Sequence, residues 1–125
     1  LSRKDYHTKY EPIWYGWLDG ASRLCPLLNR KQSDVWDIDR PSRSELHPTT
    51  KPIELVKKAI INSSKNADLI IDFFLGSGST LIACEKTNRK CYGMEIDPHY
   101  CDVIIKRWEN YTGLKAEKIN ELELA

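Results

Sequence analysis

No stretch of this sequence is apolar for long enough to cross a bilayer. Spanning takes roughly 20 residues, and the longest candidate, Leu69 to Leu75, is interrupted by Asp72. No secretory leader stands at the start. Nor is there a surplus of charge: the formal net charge is +1, so no global basic field argues for nucleic acid, and a case for DNA must rest on local features. C-x-x-C pairs are missing too. Cys25, Cys84, Cys91 and Cys101 stand apart from each other and from any histidine at metal-ligand spacing, which removes a zinc site and leaves reduced thiols and a cytoplasmic location as the expectation. Methionine is scarce: the first residue is Leu1 and the single methionine is Met94, so we expect these 125 residues to be a piece of something longer. Consecutive prolines are absent as well, which excludes any motif built on a Pro-Pro step.

What is present suits one soluble α/β domain, with hydrophobic residues at 41% and charged residues at 30%, outside the range of a disordered chain. The pattern divides the chain into an irregular segment at 1–46, a regularly patterned region at 47–113 and a short charged tail at 114–125. In the first segment Ile13-Trp14-Tyr15-Gly16-Trp17 is aromatic and β-branched and reads as a strand. Val35-Trp36-Asp37-Ile38 reads as a second short strand, ended by Arg40-Pro41-Ser42. Over residues 18–33 Arg23, Arg30 and Lys31 stand against a single acid, Asp19, which makes that loop a candidate for phosphate contact.

From Pro52 the pattern alternates. Pro52 suits a first helical turn, and Ile53, Val56, Ala59 and Ile60 share a helical face. Leu69-Ile70-Ile71 reads as a parallel strand buried on both faces. Gly76 to Ser79 is a turn, Thr80 to Asn88 a helix, and Cys91 to Met94 the next strand. Asp97 and Pro98 cap a third helix that would bury Tyr100, Val103, Ile104, Trp108 and Tyr111. Helix, strand, turn, helix, strand, helix is a Rossmann-like order.

A strand, a glycine turn and a helix form a ligand seat, because glycine admits close approach and the helix start offers free N–H groups at a positive dipole end. A nucleoside triphosphate would need a lysine after Gly78, and none is there. A dinucleotide would need a third glycine at position 81, where Leu81 stands. S-adenosylmethionine fits better. Asp72 can meet its ammonium, and the loop N–H groups and Thr80 its carboxylate. Glu95, 19 residues after Gly76, can accept from both ribose hydroxyls at the end of the next strand. Ile96 would lie on the adenine face.

The run Asp72-Phe73-Phe74-Leu75-Gly76-Ser77-Gly78-Ser79-Thr80 resembles the D-P-F-x-G-S-G-T-T motif of β-class DNA methyltransferases that modify exocyclic amines. The stretch Leu81 to Cys84, then Arg89 to Tyr92, Met94 to Pro98 and Tyr100 to Trp108, is similar to the family's sequence on the C-terminal side of that motif. His47-Pro48-Thr49-Thr50-Lys51-Pro52 resembles the family's H-P-T-x-K-P element, which implies that Thr49 and Lys51 face the methionine end of the cofactor. Phe73 departs from the usual proline and Ser79 from a common threonine. The resemblance covers about residues 7 to 116. It implies a partial Rossmann-like methyltransferase sheet with flanking helices. The cofactor residues would be His47, Pro48, Thr49, Lys51, Asp72, Phe73, Gly76, Gly78, Ser79, Thr80, Glu95 and Ile96. Double-stranded DNA would be the partner, with adenine N6 favoured over cytosine N4 as acceptor.

The resemblance also implies a D/N/S-P-P-aromatic motif that holds the flipped base for amine methylation. With no Pro-Pro here, no catalytic residue is assigned. Asp97-Pro98-His99-Tyr100 mimics the motif but caps a helix. We therefore expect the catalytic segment to lie upstream, the chain alone to be inactive, and the exposed strand edge left behind to favour a homo-oligomer. The alternatives are a non-catalytic S-adenosylmethionine-binding module, remnant or partner subunit, and an RNA or small-molecule methyltransferase.

Overall fold

Among the described residues, regular secondary structure begins just after Pro52. The computed structural model describes residues 9–22, 25–27, 29–39 and 51–119. Their elements run α1 (Ile53–Ser63), β1 (Leu69–Asp72), α2 (Ser79–Thr87), β2 (Lys90–Gly93) and α3 (Pro98–Thr112). Pro52 lies just outside α1 as its N-cap rather than in its first turn, because its ψ of 132° is extended. At the other end the Ser64 hydroxyl donates to the Ile60 carbonyl at 2.6 Å, and Arg89 donates to the Ser64 carbonyl at 2.8 Å, so two carbonyls at the helix end find partners.

β1 and β2 pair in parallel, with Leu69 opposite Lys90 and Asp72 opposite Gly93. A parallel pair needs a crossover, and α2 provides it. Asn88 ends α2 in the left-handed region and returns its N–H to Cys84 and Glu85. The core forms where α1 and α2 meet the sheet: Ile60, Ala83 and Cys84 are buried, with Ile53, Val56, Ile70 and Cys91 packed on them. Burial, and then the neighbouring Cys91, push the Cys84 thiol up to about 12. Cys91 is raised for the same first reason. Both are packing residues rather than reactive ones.

Three further expectations need correction. β1 is not buried on both faces. Ile70 and Cys91 point into the core, whereas Leu69, Ile71 and Tyr92 are 46%, 55% and 66% exposed. α1 and α2 pack on a single face, so alternation replaces the all-buried run. Tyr111 is likewise 48% exposed, with Lys86 over its ring, while Arg107 takes a place on the inward stripe of α3. Finally, Ile13–Trp17 and Val35–Ile38 form no strand. A strand needs a neighbour to pair its N–H and C=O groups, and residues 9–22 lie exposed throughout. Residues 29–39 dock on α1 by side chains instead. Gln32 and Asn62 exchange two amide hydrogen bonds of 3.0 and 2.9 Å, and Lys58 lies 4.7 Å above the Trp36 ring.

α3 starts as its sequence predicts: Asp97 is the N-cap, accepting from the His99 N–H, and Pro98 is the first helical residue. Gly113 closes it with φ 74°. Among the described residues no helix is long and apolar enough to cross a membrane, and no three His, Cys, Asp or Glu side chains gather as metal ligands.

Candidate functional site

Two carboxylates, one at the end of each strand, hold the glycine loop between them. Asp72 ends β1. Its Oδ1 accepts from the Phe74 N–H at 2.9 Å and its Oδ2 from the Thr80 hydroxyl at 2.6 Å. Glu95 lies just past β2. Its Oε2 accepts from the Gly76 N–H at 2.7 Å and its Oε1 from the Asp97 N–H at 2.9 Å. Each oxygen keeps a further lone pair. The loop is also sewn to the sheet by backbone bonds, Met94 N–H to the Asp72 carbonyl and Leu75 N–H to the Met94 carbonyl, both 2.9 Å.

This closeness explains the glycines. A Cβ at Gly93 would lie 2.5 Å from Leu75 Cδ2, so a larger residue there would have to push the Leu75 side chain aside. Gly76 and Gly78 take φ of 55° and 81°, where a Cβ is strained. A Cβ at Gly78 would also press on Ile104 of α3 at 3.3 Å. Gly78 leads into α2, whose first N–H groups have no intrahelical acceptor. The Asp72 carboxylate thus sits beside a helix start, where the macrodipole favours negative charge.

The structure brings Asp72, Phe73, Gly76, Gly78, Ser79, Thr80, Glu95 and Lys51 to this end of the sheet. The Ser79 hydroxyl donates to the Lys51 carbonyl at 2.9 Å. The Lys51 ammonium pairs with Glu11, an exposed ion pair of small strength that another carboxylate can replace. Phe73 and Ile96 are 63% and 97% exposed, leaving apolar surface beside the loop. His47, Pro48 and Thr49 lie outside the described residues, as does Arg23. Arg30 and Lys31 are exposed in a turn, remote in sequence from the loop.

Sequence reasoning missed Arg107. Its Nη1 donates to the Ser77 carbonyl at 2.9 Å and reaches the Ser77 and Ser79 hydroxyls at 3.3 and 3.4 Å. Burial pushes its guanidinium down from the ordinary value. The available signal was a cation at i+3 from Ile104 and i+4 from Val103, on the stripe read as apolar.

The chain is similar to DNA methylases. A family model for DNA methylases of the N6/N4 type matches residues 3–107. The type II methyltransferase M.Cfr9I of Citrobacter freundii is 29% identical over 118 residues, which is 94% of this chain and 37% of that protein. The type II methyltransferase M.XycI of Xanthomonas campestris pv. cyanopsidis is 32% identical over 100 residues, 80% of this chain and 33% of that protein. Among solved structures, the complex of M1.HpyAVI with SAM superposes with a TM-score of 0.53 at 27% identity, covering 66% of this chain and 42% of that one. The chain spans about a third of the length of the two curated relatives.

Proposed function

The chain belongs to the N6/N4 DNA methylase family, and from that premise we propose that it is the S-adenosylmethionine-binding part of an enzyme that methylates an exocyclic base amine in duplex DNA. The observation that carries the reading is the loop suspended between Asp72 and Glu95 at the ends of adjacent parallel strands. The donor set fits the ligand. The outward lone pairs of Asp72 accept from its ammonium, and those of Glu95 from the two ribose hydroxyls. Lys51 and the start of α2 attract its carboxylate, and Ile96 and Phe73 give the adenine an apolar surface. His47, Pro48 and Thr49 complete the methionine end. Bound there, the cofactor supplies a methyl group on a sulfonium.

Orienting the acceptor amine falls to a D/N/S-P-P-aromatic segment. This sequence contains no Pro-Pro, so we place that segment on another part of the protein or on a partner. Arg30 and Lys31, with Arg23, serve as phosphate contacts. Among the described residues β1 pairs with β2 alone, and we assign its other edge to that segment or to a second copy. Transfer of labelled methyl to duplex DNA, with mass spectrometry of the digested nucleosides, tests the function. N6-methyladenine, the first product to seek, or N4-methylcytosine is expected from the assembled enzyme, and none from these 125 residues alone. Methylation of RNA but not DNA, or a ring-carbon product, contradicts the proposal.

A further inference from the structure

Arg107 is a half-buried cation on α3. Among the described residues its partners are a carbonyl and two hydroxyls, all in the glycine loop, with no carboxylate to offset its desolvation. Burying a charge this way costs stability, so an apolar side chain would serve packing better. What Arg107 adds is geometry. Its Nη1 donates to the Ser77 carbonyl at 2.9 Å and shares its second N–H between the Ser77 and Ser79 hydroxyls at 3.3 and 3.4 Å, so a single nitrogen on α3 holds that corner of the loop. The Ser79 hydroxyl passes the restraint on, because it accepts from Arg107 and donates to the Lys51 carbonyl. Glu95 stands outside this chain of bonds and is held by Gly76 and Asp97.

We propose that Arg107 is a positioning residue for the amino-acid end of the methyl donor, setting the Ser77–Ser79 corner and the Lys51 backbone in one register. The proposal rests on the S-adenosylmethionine reading of the site. It separates the two ends of the ligand: the methionine end depends on Arg107, while the nucleoside end, served by Glu95 and Ile96, does not.

The test compares S-adenosylmethionine with 5′-methylthioadenosine, a nucleoside lacking the amino-acid end, each read by competition against a labelled nucleoside. Arg107→Met is expected to weaken S-adenosylmethionine roughly tenfold or more while leaving methylthioadenosine within about twofold. Arg107→Lys should restore part of the loss. Equal weakening of both ligands means a merely structural role and overturns the proposal, as does unchanged S-adenosylmethionine affinity. If Arg107→Met does not fold, the ratio measured for Arg107→Lys decides in the same way. Failure of the unsubstituted protein to bind S-adenosylmethionine overturns the underlying site reading instead, so the two failures are distinguishable.

Discussion

Leu69–Ile71 and Ile13–Trp17 are both short runs of residues that favour strands, and they end in opposite states. The first pairs with β2 and has α1 and α2 over one face. The second lies exposed, with Trp14 at 96%. One contact it makes is its own edge-on pair of Tyr15 and Trp17, with centroids 5.8 Å apart. Strand preference describes how a side chain suits a half-buried pleated surface. Where α2 brings a partner strand alongside, the preference is realised, and where no partner lies among the described residues, it is not. The same contrast separates the elements that build the site from the segment that reaches it through the Glu11–Lys51 pair.

Substitutions in each region sharpen this contrast. The largest effect is expected for Ile60→Ala, which empties the contact between α1 and α2 and should cost roughly 2–5 kcal/mol in urea unfolding. Gly93→Ala comes next. Its methyl would collide with Leu75, and displacing that side chain should cost about 1–3 kcal/mol, seen as a lower urea midpoint. If Gly93→Ala proves neutral, the loop does not cross β2 as closely as described.

A smaller effect is expected from Cys84. In the unfolded chain a thiol ionises at about 8.5, whereas folded Cys84 holds its proton up to about 12. Between those values the folded state binds more protons, so stability falls as pH rises. The loss of urea midpoint from about pH 8 to about pH 10 should be greater for the natural sequence than for Cys84→Ala. An equal loss would mean that Cys84 is not buried. The smallest effect is expected for Trp14→Ala, within about 0.5 kcal/mol, because that side chain is exposed. A cost rivalling that of Ile60→Ala would break the comparison by revealing a second core.

Much of the α/β region was legible because its signals are local. Pro52, Asp97 and Pro98 mark helix starts by their own backbone chemistry. The loop of Asp72 to Thr80 lies between strand and helix in the order its glycines imply. What stayed hidden is non-local. Whether Leu69 and Ile71 are covered depends on which elements arrive on the second face, and a period-two pattern of apolar residues cannot be seen when Leu69, Ile70 and Ile71 are all apolar. Arg107 was missed because its partners lie up to 30 residues away. The dual engagement of Glu95 was equally invisible: one oxygen holds Gly76 across 19 residues and the other holds the start of the next turn.

The central claim is that Asp72 and Glu95 frame one seat for the methyl donor, and calorimetric titration of S-adenosylhomocysteine into the protein tests it most directly. The account predicts single-site binding by the natural sequence. Glu95→Ala should weaken it roughly tenfold or more, because both ribose hydroxyls lose a charged acceptor and Gly76 loses its tether. Asp72→Ala should weaken it comparably. A folded protein that takes up no S-adenosylhomocysteine, or one whose affinity is indifferent to both substitutions, would contradict it.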